Sequence, residues 1–358
     1  MQQIRTVISG TGSYIPNRII KNSDFVNQVF FEKDHSLIDT SGEEIIRKFK
    51  DITGIGERRW AESNQNNSDL AALAAEAAIK DAGIDRETID QIIVAHNYGN
   101  VTKGSNQSDM VPSIAARVRH QLGIKNSQCV PYDVIFGCPG WIQGVIQADA
   151  FIRTGLAKRC LVIGSETLSR IVDVYDRDTM IFSDGAGAVI LEANSEGTDS
   201  GIMATSNMSH TDEELDYLYF DKSNLPDSNS NTKYIKMLGR KVYEYSLNHV
   251  PDAMKIALDR SGEPIESVKK VLIHQANEKM DAAIVQRFFR KYGLRPNIET
   301  VMPMSIAELG NSSVATVPTL YDMILKNKIP NHQIEKGDVL LFASVGAGMN
   351  INSFVYKQ

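Results

Sequence analysis

Short apolar runs alternate along the chain with longer stretches in which apolar residues recur at helical spacing. Residues 4–9 form the first such run and predict a strand that ends in Gly10, Thr11 and Gly12. From Ser68 onward, Leu70, Leu73, Ala74, Ala77 and Ile79 supply one apolar face, so 68–82 predicts a helix with Ser68 as its cap. Runs at 92–95, 129–136 and 160–164 predict buried strands, and a glycine-rich strand starts at 185. Residues 111–122 predict a helix, and 141–153 a second one, apolar nearly all round and therefore deeply buried. This alternation predicts an α/β fold, with a largely parallel sheet covered by helices on both faces.

The composition turns polar over 196–201, and the plan then repeats. Helices are predicted at 241–260, 281–292 and 314–325, and strands at 268–273 and 339–344. The stretch 221–232, rich in Ser, Asn and Asp, reads as a surface loop. The two layouts imply an internal structural duplication, although no residue-level repeat accompanies it.

Bulk properties narrow the function. At 358 residues the chain holds two domains of ordinary size or one double unit. With 42% hydrophobic and 23% charged residues it has the composition of a soluble globular protein. A net charge of −6 argues against nucleic acid as a partner. Three cysteines give no disulfide framework, which fits a reducing cytoplasm. The N-terminal residues lack a signal-peptide core, so Met1 reads as the true start, and no apolar run reaches membrane-spanning length. Gly10, Thr11, Gly12, Ser13, Tyr14 and Ile15 lack the third glycine of a dinucleotide fingerprint, and no Cys or His pair has zinc spacing. Neither a cofactor nor a metal is expected.

The candidate chemistry lies at strand ends. Cys138 stands where the run from Val134 gives way to Gly137, Cys138, Pro139 and Gly140 before a buried helix pattern. A thiol at a helix N-terminus meets partial positive charge, which favours thiolate. Pro139 suits a helix start, and the flanking glycines permit close backbone approach. His274 ends the strand run Val271, Leu272 and Ile273, at the carboxyl end where open α/β sheets place ligands. Asn311 lies in a loop of Gly310, Asn311, Ser312 and Ser313, and Gly346, Ala347 and Gly348 follow another strand. Taken singly, these are a small buried hydrophobe, a core histidine, a turn and a glycine loop. Cys129 and Cys160 sit in apolar strands and read as structural.

Four stretches taken together resemble one family. They are Thr53 through Arg59, Ser183 through Ala188, His274 with Gln275, Ala276 and Asn277, and Gly310 through Ser313. Tyr14 with Ile15, Pro16 and Asn17, and Asp176 with Arg177, Asp178 and Thr179, also match. On these residues the chain resembles the β-ketoacyl-(acyl carrier protein) synthase III family of thiolase-fold condensing enzymes, from about residue 7 to the C-terminus.

The resemblance implies a five-layered α-β-α-β-α fold of two similar halves, 1–198 carrying the nucleophilic Cys and 199–358 carrying His and Asn, usually as a homodimer. It implies an acyltransferase that joins an acyl-CoA primer to malonyl-acyl carrier protein with loss of carbon dioxide, initiating fatty acid biosynthesis in the cytoplasm. Coenzyme A thioester and carrier protein are substrates, so no cofactor is implied. Cys138 becomes the acyl acceptor, and His274 and Asn311 the partners of the malonyl thioester carbonyl. The backbone N–H groups of Cys138 and Ala347 become the oxyanion donors. Arg177 matches a position near the coenzyme A adenine, Asn277 one beside the pantetheine arm, and Met349 one near the acyl pocket. Lys279, Arg287, Arg290 and Lys291, on the helix after His274, form either a docking patch for an acidic carrier protein or a solvated helix face.

The chain also departs from the family. Ala347 and Met349 replace a glycine and an aromatic residue, Glu44 stands where a Trp often stacks on adenine, and Pro139 after the nucleophile is unusual. Extra residues occur at 30–35 and 98–110. These changes bear on the substrate, so the alternative is a specialised condensing enzyme or acyltransferase of secondary metabolism, loading a polyketide starter or forming an ester.

Overall fold

The computed structural model describes residues 4–105, 107–194, 199–228 and 230–358. The N-terminal part runs through β1 (Thr6–Tyr14), β2 (Arg18–Lys21), α1 (Gly42–Thr53), β3 (Glu57–Trp60), α2 (Asn67–Ala82), β4 (Gln91–Ala95), α3 (Ile114–Gln121), β5 (Val130–Val134), α4 (Gly140–Arg153), β6 (Arg159–Thr167) and β7 (Asp184–Ala193). The C-terminal part runs through β8 (Gly201–Ser209), β9 (Leu218–Asp221), β10 (Tyr234–Met237), α5 (Gly239–Ser261), β11 (Val268–Ile273), α6 (Glu278–Arg290), α7 (Ile298–Val301), α8 (Ile306–Leu309), α9 (Thr316–Leu325), β12 (Val339–Gly346) and β13 (Asn350–Lys357).

Two sheets carry the fold, in the orders β1-β7-β6-β4-β5 and β11-β12-β13-β8. Side chains alternate across each strand. On β4, Ile92 and Val94 face α2 and α3, whereas Ile93 and Ala95 face α4 and α9. On β12, Leu340 and Phe342 face α4 and α9, whereas Leu341 and Ala343 face α5 and α6. The result is five layers: α2 and α3, the first sheet, α4 and α9, the second sheet, α5 and α6. Burial from both sides explains why 141–153 reads apolar nearly all round.

The sheets are mixed, which corrects the largely parallel expectation. β4 is parallel to β5 and β6, and β11 is parallel to β12. β7 runs antiparallel to both β6 and β1, and β13 antiparallel to both β12 and β8. A parallel return needs a crossover helix. Between β6 and β7 the chain forms only short 3-10 turns, at Leu168–Arg170 and Arg177–Ile181, and between β12 and β13 one more, at Ala347–Met349. The order β4-β6-β7-β1 matches β11-β12-β13-β8 in direction, as the duplicated layout predicts. The boundary at 198/199 and the polar stretch from 196 touch residues outside the described ones, as does the start at Met1.

Three local expectations are also corrected. β1 does not end at Gly10, Thr11 and Gly12 but continues through them to Tyr14, paired with β7. α2 is capped by Asn66, whose N–H donates to the Asp69 carboxylate at 2.8 Å, while the Ser68 N–H donates to Asn100 Oδ1 at 2.9 Å. The loop after β9 is pinned: Ser223 and Asn224 are buried, and both donate to the Asp173 carboxylate. No described helix is long and apolar enough to cross a membrane.

Candidate active site

Three loops at the carboxyl ends of strands and one between two helices build one site. Cys138 lies between β5 and α4, His274 follows β11, Asn311 precedes α9, and Ala347 follows β12. All four line a cavity of about 260 Å³ together with Asn97, which follows β4, and Ser313. Sequence-distant loops meet here because parallel strands end on the same edge, where the connecting turns leave a crevice.

The Cys138 and Ala347 loops touch through their backbones. Gly137 takes a left-handed φ of 66°, and a Cβ there would stand 2.7 Å from the Ala347 nitrogen. A Cβ on Gly346 would stand 2.4 Å from the Cys138 nitrogen. Glycine at both positions lets the two expected oxyanion amides lie side by side.

The charge states differ in part from expectation. Pro139 caps α4 as predicted, yet burial pushes the Cys138 thiol up to about 11, with Glu166 adding to the rise and a Ser313 hydrogen bond opposing it. The remaining exposure of Cys138 is to the cavity, and crowding by protein atoms outweighs the field of the helix N-terminus there. His274 is buried, its ring is held down to about 4 by loss of solvation, and its Nδ1 has no partner among the described residues. It is a neutral imidazole. Asn311 Oδ1 accepts from the Ser313 N–H at 2.8 Å, which leaves the Asn311 amide NH2 as donor toward the cavity.

The wall opposite the thiol is apolar. Leu168, Phe182, Leu218 and Ile235 line it, and Tyr98 stacks on Phe220 at 5.0 Å between ring centres. A second cavity of about 550 Å³ adjoins the first, sharing Ile181, Met237, Val242, Ala276 and Met280. Arg177 and Asn277 line this outer space, where the sequence put the coenzyme A arm, and Lys48 and Arg240 add cations there. Asn277 Oδ1 caps α6 at the Met280 N–H, and Arg177 pairs with Glu32 at 3.1 Å. Glu44 pairs with Arg47 and Lys48.

Met349 departs from expectation. It lines neither cavity; it is fully buried against the outer face of the second sheet, and its carbonyl accepts from the Tyr245 hydroxyl at 2.9 Å. The turn between β12 and β13 folds that residue back under the sheet. Lys279, Arg287 and Arg290 on α6, and Lys291 just past its end, are all exposed. Two of them also brace α5: Arg287 donates to Asn248 Oδ1 at 3.0 Å, and Lys291 pairs with Asp252 at 2.6 Å.

The sequence reading missed Phe220, Asn97 and Glu166; it reached Tyr98 only as the start of the 98–110 insertion and Ser313 only as part of the Gly310 to Ser313 motif. A signal was present for Asn97 and Glu166. Asn97 lies two residues past the apolar run 92–95, near a strand end like His274, and Glu166 is a carboxylate two residues past the apolar run 160–164.

Comparison with known proteins agrees with this fold. The family profile described as 3-oxoacyl-(acyl-carrier-protein) synthase III matches residues 132–211, and its C-terminal companion matches 258–358. The chain is 35% identical to the β-ketoacyl-(acyl-carrier-protein) synthase III of Cereibacter sphaeroides, with 99% of each chain covered. Among solved structures it resembles the synthase III of Aquifex aeolicus, at 31% identity and TM-score 0.80 over 99% of this chain and 100% of that one. The synthase III of Thermus thermophilus gives 30% identity and TM-score 0.80 over 98% of each. On this full-length likeness, and on the five-layered fold with its strand-end site, the chain belongs to the β-ketoacyl-(acyl-carrier-protein) synthase III family of thiolase-like condensing enzymes.

Proposed function

We propose that the protein joins an acyl-CoA primer to malonyl-acyl carrier protein through an acyl-Cys138 intermediate. The observation that carries this is the convergence of Cys138, His274, Asn311 and the Ala347 loop on one cavity. In the first half-reaction the Cys138 sulfur bonds to the primer carbonyl carbon and the bond to the coenzyme A sulfur breaks. The thiol proton leaves with coenzyme A as its free thiol.

In the second half-reaction the malonyl carboxyl leaves as carbon dioxide and its bonding pair becomes an enolate. The neutral His274 ring and the Asn311 amide donate hydrogen bonds to the enolate oxygen. A cationic His274 is not needed, and burial disfavours one. The carbanion then bonds to the acyl carbon, the Cys138 sulfur departs, and the backbone amides of Cys138 and Ala347 hold the transient oxyanion. Loss of one such donor costs about 3–4 kcal/mol, or roughly 10²–10³ in rate.

The same proposal places coenzyme A in the outer cavity along Arg177, Lys48 and Asn277, and the acyl chain against Tyr98 and Phe220. Arg290 and Lys279 on α6 meet an acidic carrier protein. The protein works as a cytoplasmic homodimer. Support for the dimer comes from apolar side chains left exposed: Val111 (87% exposed), ahead of α3, and Ile135 (58%), directly after β5.

The test is intact-mass measurement after incubation with a series of acyl-CoAs, repeated with Cys138→Ala, followed by malonyl-carrier protein. One acyl group on Cys138, discharged as a β-ketoacyl product, is the expected result. Acylation without discharge overturns the condensing step, and no acylation from any acyl-CoA overturns the primer assignment.

A further inference from the structure

A line of hydrogen bonds runs from the Cys138 sulfur into the first sheet. Ser313 Oγ donates to Cys138 Sγ at 3.3 Å. Asn97 Nδ2 donates to Ser313 Oγ at 3.2 Å. The same Asn97 nitrogen donates to Glu166 Oε1 at 2.7 Å, and the Asn97 backbone N–H donates to that oxygen at 2.6 Å. Glu166 is buried at the carboxyl end of β6, and Ser313 is buried as well.

The direction of every bond follows from the far end. A backbone N–H only donates, so Glu166 Oε1 is an acceptor, and as a carboxylate or with its proton on Oε2 it has no hydrogen to return to Asn97. The Asn97 side chain therefore turns its NH2 toward Glu166, and the second hydrogen of that NH2 points at Ser313. The Ser313 oxygen accepts it, and its single hydrogen is left for the sulfur. Ser313 also holds a left-handed φ of 52°, an uncommon conformation for a residue with a Cβ. The same backbone geometry sends its N–H to Asn311 Oδ1. One strained residue thus orients two others, the Cys138 thiol and the Asn311 amide.

We infer that Ser313 is a catalytic hydrogen-bond donor to the Cys138 thiolate, and that Asn97 and Glu166 are positioning residues that fix its direction. The inference rests on the assignment of Cys138 as the acyl acceptor. A hydrogen bond to an ionised sulfur is made best after the proton has left, so it lowers the cost of forming the nucleophile in a crowded site.

The test is the pH profile of Cys138 alkylation by iodoacetamide in the full-length protein, read peptide by peptide so that Cys129 and Cys160 are scored separately. Ser313→Ala is expected to move the midpoint for Cys138 upward and slow alkylation at pH 8 by about tenfold. Asn97→Ala, away from the strained turn, is expected to shift the midpoint in the same direction. The Glu166 charge itself raises the thiol, so the two uncharged variants are compared with each other: the midpoint is expected to lie higher in Glu166→Ala than in Glu166→Gln, which keeps an acceptor oxygen for Asn97. A packing role alone moves thermal stability without moving the midpoint. An unmoved midpoint in folded Ser313→Ala and Asn97→Ala overturns the inference. Alkylation does not depend on the natural substrate, so a shifted midpoint in a protein that no acyl-CoA acylates upholds the hydrogen-bond line while the proposed reaction fails.

Discussion

Gly346 and Cys138 meet so closely that a Cβ on the first would stand 2.4 Å from the amide nitrogen of the second. Gly346 has extended backbone, so the obstacle to a side chain is collision and not conformation. Gly346→Ala is expected to push the Cys138 loop off the Ala347 loop and to slow acylation by roughly tenfold or more. Overpacking of this kind costs about 1–3 kcal/mol of stability. Single-turnover acylation by intact mass, beside a denaturant curve, checks both; wild-type acylation means that the loops are slack.

His274 and Glu166 make opposing contributions to the pH dependence of stability. The folded His274 ring is held down to about 4 from an ordinary 6.5, so from pH 6.5 down to 4 the unfolded chain takes up a proton that the folded one refuses. Its contribution is present at neutral pH and lost as pH falls. Burial raises the Glu166 carboxyl to about 7 from 4.5, so across that window the folded chain keeps a proton that the unfolded one releases. That contribution is present in acid and lost as pH rises. Relative to wild type, Glu166→Gln is expected to gain stability as pH rises from 4.5 to 7, and His274→Gln to lose it from 4 to 6.5. Each contribution reaches about 3 kcal/mol at most. Denaturant midpoints across pH check the signs, and two variants that parallel wild type refute both protonation states.

The stacked pair of Tyr98 and Phe220 lines the inner cavity, where the acyl chain is proposed to lie. Phe220→Ala is expected to enlarge it and to raise acylation by primers two carbons longer by roughly tenfold, since each methylene in an apolar pocket is worth about 1–3 kcal/mol. Competition between acyl-CoAs in one tube measures this. An unchanged order of preference places the chain terminus elsewhere.

Lys236 is buried with Asp173 at 2.6 Å, Asp176 at 3.0 Å and Asn224 Oδ1 at 2.7 Å. Lys236→Met leaves two buried carboxylates without their cation and is expected to cost about 3–5 kcal/mol. Adding Asp173→Asn is expected to recover part of the loss. β10, which carries Lys236, pairs with β9, which carries Phe220, so chain-length preference is expected to loosen as well. Urea midpoints of the single and double variants decide the first point, and the acyl-CoA competition decides the second.

Much of the site was legible in the sequence because it lies at strand ends. Local periodicity marks where an apolar strand stops, and Cys138, His274 and Ala347 each follow such a stop. Asn311 and the oxyanion loop were legible through the family motifs. Met349 was misplaced because the sequence shows that it follows a strand, but not which way the turn folds it. The 98–110 insertion that begins at Tyr98 was tied to the substrate, but Phe220 gave no signal, since the stacking of the two joins a segment after β4 to a hairpin more than a hundred positions away in the chain.

By itself the sequence determined the α/β class and the duplicated layout, and it singled out Cys138, His274 and Asn311 as one candidate set, because alternation of apolar and polar positions and short motifs are local properties. Tertiary structure decided that β7 and β13 return antiparallel, because that depends on what the connecting segments pack against. It decided the charge states of Cys138, His274 and Glu166, because desolvation is set by every element that closes around a group. It also decided the line from Glu166 through Asn97 and Ser313 to the sulfur, because those residues come from four loops and strands that only the packed sheet edge brings within hydrogen-bond reach.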